Sequence, residues 1–315
     1  MQTFSTNKLI KKSGTVPVIN HKIFGGMRAE GWQKESQEGR PLITVVTVLR
    51  NGAAYLERTM LSVLNQTYDN VEYIVVDAAS TDGTLDIIKK YEPYIDVWIS
   101  EPDKGSHDAI NKAAQLITGD WVIILHCGDC FNNDRVLEDV FIKNKIYGDV
   151  VYGNFIGLVG ENRPALYVSA PNTDKLWQGM IFCHQAMFAR ASLVKKFKYD
   201  TRYLISADYD FIMSCFLDRA IFQKVDVIVA KIDTSGASSQ HWLKARMENW
   251  RIARRFKKSI KINLFHIYGI VYDVLFRVFK KILTSAGIYD FFKGIYRRTV
   301  LKGRLGRNPN IQKLN

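Results

Sequence analysis

The chain has 315 residues, 47% of them hydrophobic and 24% charged, the composition of an ordinary globular protein with room for one large α/β domain and an appendage. Whole-chain disorder, a collagen-like repeat and a disulfide-stapled miniature are excluded. The net charge of +13 is unevenly placed: residues 241–315 carry 18 basic and three acidic residues, a net of +15, whereas the first 240 hold 26 basic and 28 acidic, a net of −2.

Residues 1–40 are polar and weakly periodic, and read as an N-terminal extension that is poorly ordered or loosely docked. Their opening lacks the continuous apolar core of a secretory signal, so export is not expected. The pattern then changes. Residues 42–49 (LITVVTVL) form a β-branched run of the kind buried on both faces of a parallel sheet. A helical spacing of apolar residues covers 55–66, and 71–76 (VEYIVV) is the next strand. A helix over 81–91, a short strand at 97–99, a helix over 106–117 and a strand at 121–125 (WVIIL) follow. Strands alternating with helices of about ten residues predict an α/β fold with right-handed crossovers and a mostly parallel sheet. Ligands collect beyond the carboxyl ends of such strands.

After residue 134 the rhythm loosens. A helix is expected near 134–145, strands at 149–155, 164–169, 185–190 and 225–230, and a helix at 207–218; this half should take the second substrate. From residue 241 the chain reads as basic amphipathic helices, including a stretch at 287–298 (GIYDFFKGIYRR). No stretch reaches about 18 apolar residues without a charge, so a bilayer-spanning helix is not expected. Four cysteines, Cys127, Cys130, Cys183 and Cys215, fit free thiols in a reducing compartment.

Several segments carry chemistry. In VVDAASTDGT (75–84), Asp77 ends a buried strand and Asp82 follows a small-residue turn, a pairing suited to a base and a ribose; the alternative for Asp82 is a helix cap. In EPDKGSHDAINKA (101–113), Asp108, Asn111 and Lys112 share a helix face, and Lys104 and Gly105 stand at the helix entrance, where free N–H groups favour an anion such as a diphosphate. In LHCGDCF (125–131), Asp129 suits Mg²⁺ or Mn²⁺ bridging a nucleotide diphosphate. The Cys127-x-x-Cys130 spacing lacks the ligand pairs of a zinc site and the βαβ context of a redox motif. His184 precedes a strand, either touching phosphate or acceptor or sitting as a core histidine. In SADYDF (206–211), Asp208 and Asp210 point in different directions on a helix, which favours one base and one structural carboxylate.

Together TVLRN at 47–51, LNQTY at 64–68, VVDAASTDGT, EPDKGSHDAINKA, LHCGDCF, the Cys183-His184-Gln185 segment and ADYDF resemble the family 2 glycosyltransferases of the GT-A fold, in particular bacterial enzymes of surface-polysaccharide assembly. The resemblance covers roughly residues 41–250. It implies a GT-A-like, Rossmann-type, mostly parallel central sheet with flanking helices at 41–240, its nucleotide-sugar half ending near residue 130, and a basic helical extension at 241–315. It places Thr47, Asn51, Asp77 and Asp82 in the nucleotide pocket, with Asp77 meeting the base. Lys104, Asp108 and Asn111 would approach the diphosphate or donor sugar, with His184 contacting phosphate. Asp129 would be the metal-binding acid of a DXD-type motif, and Asp208 the general base of an inverting transfer. Ala78, His126 and Gly128 occupy positions that are often acidic in relatives.

The implied partners are a nucleotide-sugar donor, a glycan or lipid-linked oligosaccharide acceptor and a divalent cation. Apolar residues from Leu264 to Phe279 recur at spacings of three and four beside Arg277, Lys280 and Lys281, the pattern of a helix lying in an anionic leaflet. A cytoplasmic enzyme, peripheral on the inner face of the membrane, is the expectation; packing of that helix on the catalytic domain is the alternative. A nucleotidyltransferase-like or non-catalytic nucleotide-binding protein whose tail binds nucleic acid is the competing class. It is disfavoured by VLRNGAAYLE, with one glycine where a phosphate loop would stand, and no nucleic-acid partner is expected.

Overall fold

The computed structural model describes residues 11–12, 23–158, 166–233, 241–256, 258–285 and 311–313. Three two-residue strands, Lys11–Lys12 (β1), Phe24–Gly25 (β2) and Trp32–Gln33 (β3), come first. They are followed by Ile43–Leu49 (β4), Ala53–Leu64 (α1), Val71–Asp77 (β5), Thr84–Tyr91 (α2), Val97–Ser100 (β6), Ser106–Leu116 (α3) and Trp121–Ile124 (β7). The boundaries lie within a few residues of those the hydrophobic periodicity predicts. Strands β4 to β7 are parallel, in the spatial order β6-β5-β4-β7. The order therefore reverses between β4 and β7, which is where a doubly wound sheet opens a crevice at its carboxyl edge.

The second half comprises Cys130–Phe131 (β8), Val136–Phe141 (α4), Val150–Leu158 (β9), Leu166–Val168 (β10), Met187–Arg190 (β11), Ala191–Phe197 (α5), Ala207–Leu217 (α6) and Phe222–Asp233 (β12). Strand β11 joins the sheet antiparallel between β7 and β9, and β12 runs parallel along β9. Helices Trp242–Phe256 (α7) and Ile260–Ser285 (α8) follow, and Ile311–Lys313 (β13) returns to pair with β10. The helix expected at 287–298 lies outside the described residues.

Strand β4 shows why the sheet is a core. Ile43, Val45 and Leu49 pack with α1 and α4, and Val46 and Val48 pack with α3 and α6. Both faces are apolar because both are covered.

The extension is not loosely held over its described part. At residues 23–40 it closes the sheet's edge and lower end. Strand β2 pairs with the edge strand β6, and two buried cations reach beneath the amino ends of the strands. Arg28 meets Glu72 at 3.2 Å and donates to the Leu116 carbonyl. Lys34 meets Asp96 at 2.8 Å and donates to the Val71 carbonyl at 2.6 Å. Residues 1–10 and 13–22 lie outside the described residues. Breaking a buried pair leaves one charge uncompensated. Lys34→Met, which strands Asp96, should cost about 3–5 kcal/mol of unfolding free energy in urea. A loss below about 1 kcal/mol, the range of an exposed pair, would show that this segment is not docked in solution.

Candidate active site

A cleft of about 600 Å³ opens at the β4/β7 switch point, lined among others by Asn51, Tyr55, Lys104, Ser106, His126 and Cys127. Close packing of the two loops shapes it. A side chain at Gly52 would bring a Cβ to 2.6 Å from the Cys127 Sγ. Gly128 turns the second loop with φ +100°, a conformation that favours glycine. Thr59 of α1 holds that turn from both sides: its Oγ1 accepts from Gly128 N at 2.9 Å and donates to the Asp129 carbonyl at 2.8 Å.

The loops after β4 and β5 are sewn together by the residues expected to grip the nucleotide. Asn51 (φ +51°) donates its N–H to Ser80 Oγ at 2.7 Å, and its Oδ1 accepts from Thr81 N at 2.9 Å. Asp82 accepts from Ala53 N at 3.0 Å, at the start of α1, and from Thr84 Oγ1 and N at 2.5 and 3.2 Å. It therefore caps one helix and steadies the entry to a second. The Thr84 hydroxyl leads the contacts that hold its carboxyl below the usual range.

Asp77 is fully buried. It accepts from Ser80 N at 3.0 Å, Ser80 Oγ and Ser100 Oγ at 2.6 Å, so its carboxylate organises the turn. Thr47 does not reach the cleft. It lies inside β4, fully buried on the α1 side, with Oγ1 accepting from Tyr73 OH at 3.1 Å, because alternate residues of a strand face opposite layers.

The entrance of α3 also differs from expectation. The amides of Lys104 and Gly105 already donate to Asp108 Oδ2 at 3.0 Å and Asp103 Oδ1 at 2.8 Å, so they are not free for an anion. The exposed Lys104 side chain remains at the cleft rim. Asn111 is turned away from the donor side. Its amide clamps the backbone of Tyr199, donating to the carbonyl and accepting from the N–H, both at 2.7 Å. Lys112 pairs with Glu101 at 2.7 Å.

Two predicted residues, His184 and Asp208, do converge, and His126 joins them. His184 Nδ1 lies 2.9 Å from Asp208 Oδ2. His184 Nε2 lies 3.0 Å from Nε2 of His126, which lines the cleft. Burial pushes the His126 pKa down to about 3, so that ring is neutral at physiological pH. With a proton on His184 Nδ1 facing the carboxylate, His184 Nε2 is the acceptor and His126 Nε2–H the donor. Burial would raise the Asp208 carboxyl, but His184 and His107 outweigh it and hold it below the usual range. Asp210, on the same helix, is instead ion-paired to Arg255 of α7. One helix thus carries a carboxylate linked to the cleft wall through two histidines and a second that is ion-paired.

Asp129 is nearly buried. It accepts from Gln185 Nε2 at 3.1 Å and Asp233 N at 3.2 Å, and burial pushes its pKa up to about 6. The cysteines are free, and burial pushes the Cys127 thiol up to about 12, far from a thiolate. Among the described residues, no group of three or more His, Cys, Asp or Glu side chains is placed to hold a metal by itself.

Residues 44–208 match the family described as Glycosyl transferase family 2, just over half of the chain. The chain belongs to the family 2 glycosyltransferases. The glycosyltransferase is 32% identical over 206 residues to a PGL/p-HBAD biosynthesis glycosyltransferase of Mycobacterium bovis (strain BCG / Pasteur 1173P2), covering 63% of this chain and 79% of that one. It is 38% identical over 100 residues to the putative teichuronic acid biosynthesis glycosyltransferase TuaG of Bacillus subtilis (strain 168), covering 31% and 40%. Its fold is similar to that of S. aureus TarS 1-349 in complex with UDP-GlcNAc (TM-score 0.52, 19% identity, 67% and 66% covered). It is also similar to that of the mannosyltransferase PcManGT from Pyrobaculum calidifontis in complex with GDP-Man and Mn2+ (TM-score 0.55, 18% identity, 72% and 68% covered). The central sheet and its flanking helices have a GT-A-like fold, and a helical C-terminal region follows.

Sequence reasoning missed Ser80 and Ser100, which occupy Asp77, and Gln185, which orients Asp129. It read His126 only as a missing acid. The adjacency of Gln185 to His184 was the one local signal. Asp129 also sets a pH dependence. Its folded pKa of about 6 exceeds the ordinary 3.8, so the folded state holds the proton more tightly. The resulting stabilisation is complete below about pH 4 and lost as pH rises through 6. In metal-free buffer Asp129→Asn should gain on the parent by roughly 2–3 kcal/mol between pH 4 and pH 7, read by urea unfolding. A pH-independent difference would show that the carboxylate is already compensated.

Proposed function

We propose that this glycosyltransferase moves a sugar, with inversion, from a nucleoside-diphosphate donor to a hydroxyl of a lipid-linked glycan during assembly of a cell-surface polysaccharide. The observation that carries this reading is the polar chain that runs from the wall of the switch-point cleft to a carboxylate, His126 to His184 to Asp208. The names of the relatives from Mycobacterium and Bacillus support the surface-polymer context.

Asp208 takes the proton of the acceptor hydroxyl as its oxygen attacks the anomeric carbon. The bond to the donor phosphate breaks on the opposite side, its electron pair leaving with the diphosphate. His184 keeps Asp208 ionised and oriented, and neutral His126 supplies a hydrogen bond without competing for the charge. Lys104 at the rim offers a mobile positive charge to the leaving phosphates.

Asp129 fits a divalent cation as its one protein carboxylate. It ends the β7 loop, is oriented by two N–H donors, and carries a poorly solvated charge. Magnesium or manganese holding phosphate oxygens and several waters needs only one or two such ligands. When bound, the metal would neutralise charge developing on the diphosphate.

Thermal stabilisation by a panel of UDP-, GDP- and dTDP-sugars with Mn²⁺ identifies the donor. With that donor, Asp208→Asn should lower transfer by roughly 10²–10⁴-fold, the range of general-base catalysis, while donor binding persists. Near-normal transfer by the variant overturns the base assignment.

Helix α8 carries the membrane part of the reading. One side is anchored: Ile262 and His266 are buried, Trp250 Nε1 donates to Asn263 at 2.9 Å, and Arg246 pairs with Asp273 at 2.9 Å. The other side exposes Leu264, Tyr268, Val271, Leu275 and Phe279 at 50–70% of their surface. By length and composition this 26-residue helix is long and apolar enough to cross a bilayer, a property the sequence reading did not anticipate. Its packing against α7 and the turn Thr173–Gln178 supports lying in the interface instead. Exposed Arg251, Arg254 and Lys258 stand nearby to meet anionic headgroups. The full chain should float with phosphatidylglycerol-rich vesicles, and Leu275→Glu with Phe279→Glu should weaken that binding tenfold or more, roughly the effect of two lost apolar side chains. Equal flotation overturns the docking.

A further inference from the structure

Helix α6 presents Asp208 in its first turn, yet its N-cap residue Ser206 makes no side-chain capping bond. The loop that leads into it is held from elsewhere. The backbone N–H groups of Leu204, Ile205 and Ser206 all donate to one carboxylate, Glu248 of α7, at 3.0, 3.0 and 2.9 Å. Glu248 is 7% exposed and Ser206 4%, so the carboxylate is buried with the donors it satisfies. It lies 40 residues beyond the end of the family match at residue 208, in the extension whose net charge is strongly positive.

We propose that Glu248 is a positioning residue for Asp208, and that the C-terminal extension completes the catalytic unit instead of being attached to it. The inference rests on reading Asp208 as the base. Three consecutive amides converging on an anion are charge-assisted bonds, roughly twice as strong as neutral ones, and they fix a loop whose last residue is two positions from Asp208. Removing the acceptor leaves the Ser206 amide buried and unpaired. The same helix pair is locked further along: Ile252 is fully buried in the core that contains Tyr209 and Ile212, and Arg255 bonds Asp210 and, at 3.2 Å, Ser214. Glu248 acts at the end where the chemistry is. A shift of about 1 Å in a reacting group costs on the order of 10²-fold in rate, and the 2.9 Å approach of His184 to Asp208 depends on where α6 begins.

The test uses the full-length protein and the donor that the thermal panel selects. Glu248→Ala should lower kcat by roughly 30–100-fold with donor KM changed less than about twofold, and the acid limb of its pH profile should move up as Asp208 loses its fixed place beside His184. Glu248→Gln, of the same size and with one oxygen still accepting, should recover part of the rate, and it keeps the test valid if the alanine variant fails to fold. Arg246→Ala, which loosens α7 on the α8 side only, should lower Tm while kcat stays near the parent value. Wild-type kcat and acid limb in both Glu248 variants, or a kcat loss in Arg246→Ala that matches its Tm loss as Glu248→Ala does, overturns the proposal. Inactive Asp208→Asn beside active Glu248 variants defeats the positioning role alone, whereas active Asp208→Asn defeats the base reading beneath it.

Discussion

Strands β4 to β7 are buried on both faces, and this double burial dictates where polar side chains can stand. Strand β4 sends Ile43, Val45 and Leu49 into one helical layer and Val46 and Val48 into the other, and β2 covers the β6 edge. Polar groups that must meet a ligand are therefore left with the strand ends. The two ends are treated oppositely. Beneath the amino ends, Arg28 and Lys34 are buried against Glu72 and Asp96 and close the sheet. Above the carboxyl ends, glycines and short polar residues bring the loops close without filling the space between them.

Desolvation then decides the chemistry of the open end. Asp129, His126 and Asp208 all lose most of their water, yet they respond differently because their neighbours differ. For Asp129 burial outweighs the N–H donors of Asp233 and Gln185 and the nearby His184, and pushes it toward protonation. His126 is pushed to neutrality beside His184. Asp208 has a histidine against it and stays ionised. A carboxylate that prefers a counter-cation and another that keeps its charge beside an imidazole are the two properties that the proposed transfer would use.

The charge segregation has a structural counterpart. The basic C-terminal helices use one face for the catalytic domain, through Glu248, Ile252 and Arg255, and leave another apolar and exposed on α8. The surface that would meet a membrane and the contact that seats α6 are thus two sides of one helical pair.

Local patterns already carry the βαβ order of residues 42–125, its strands and helices to within a few residues, and the loops that meet at the cleft, whereas α5 and the short strands β2, β3 and β8 have no such signal. Period-two and period-3.6 apolar patterns, turn residues and caps are local properties, and they are visible over windows of about ten residues. Local spacing also shows that Asp208 and Asp210 face different ways. How each polar residue is used depends on packing between distant segments. Asn111 shares a helix face with Asp108 but spends its amide on Tyr199, 88 positions away. Thr47 belongs to a pocket strand but faces Tyr73, and Asp77 is consumed by Ser80 and Ser100. Residues 23–40 look like a loose arm until the partners of Arg28 and Lys34 are known. A buried polar group takes whichever partner the packed fold brings within about 3 Å, and that choice depends on contacts tens of residues distant, which no local pattern encodes.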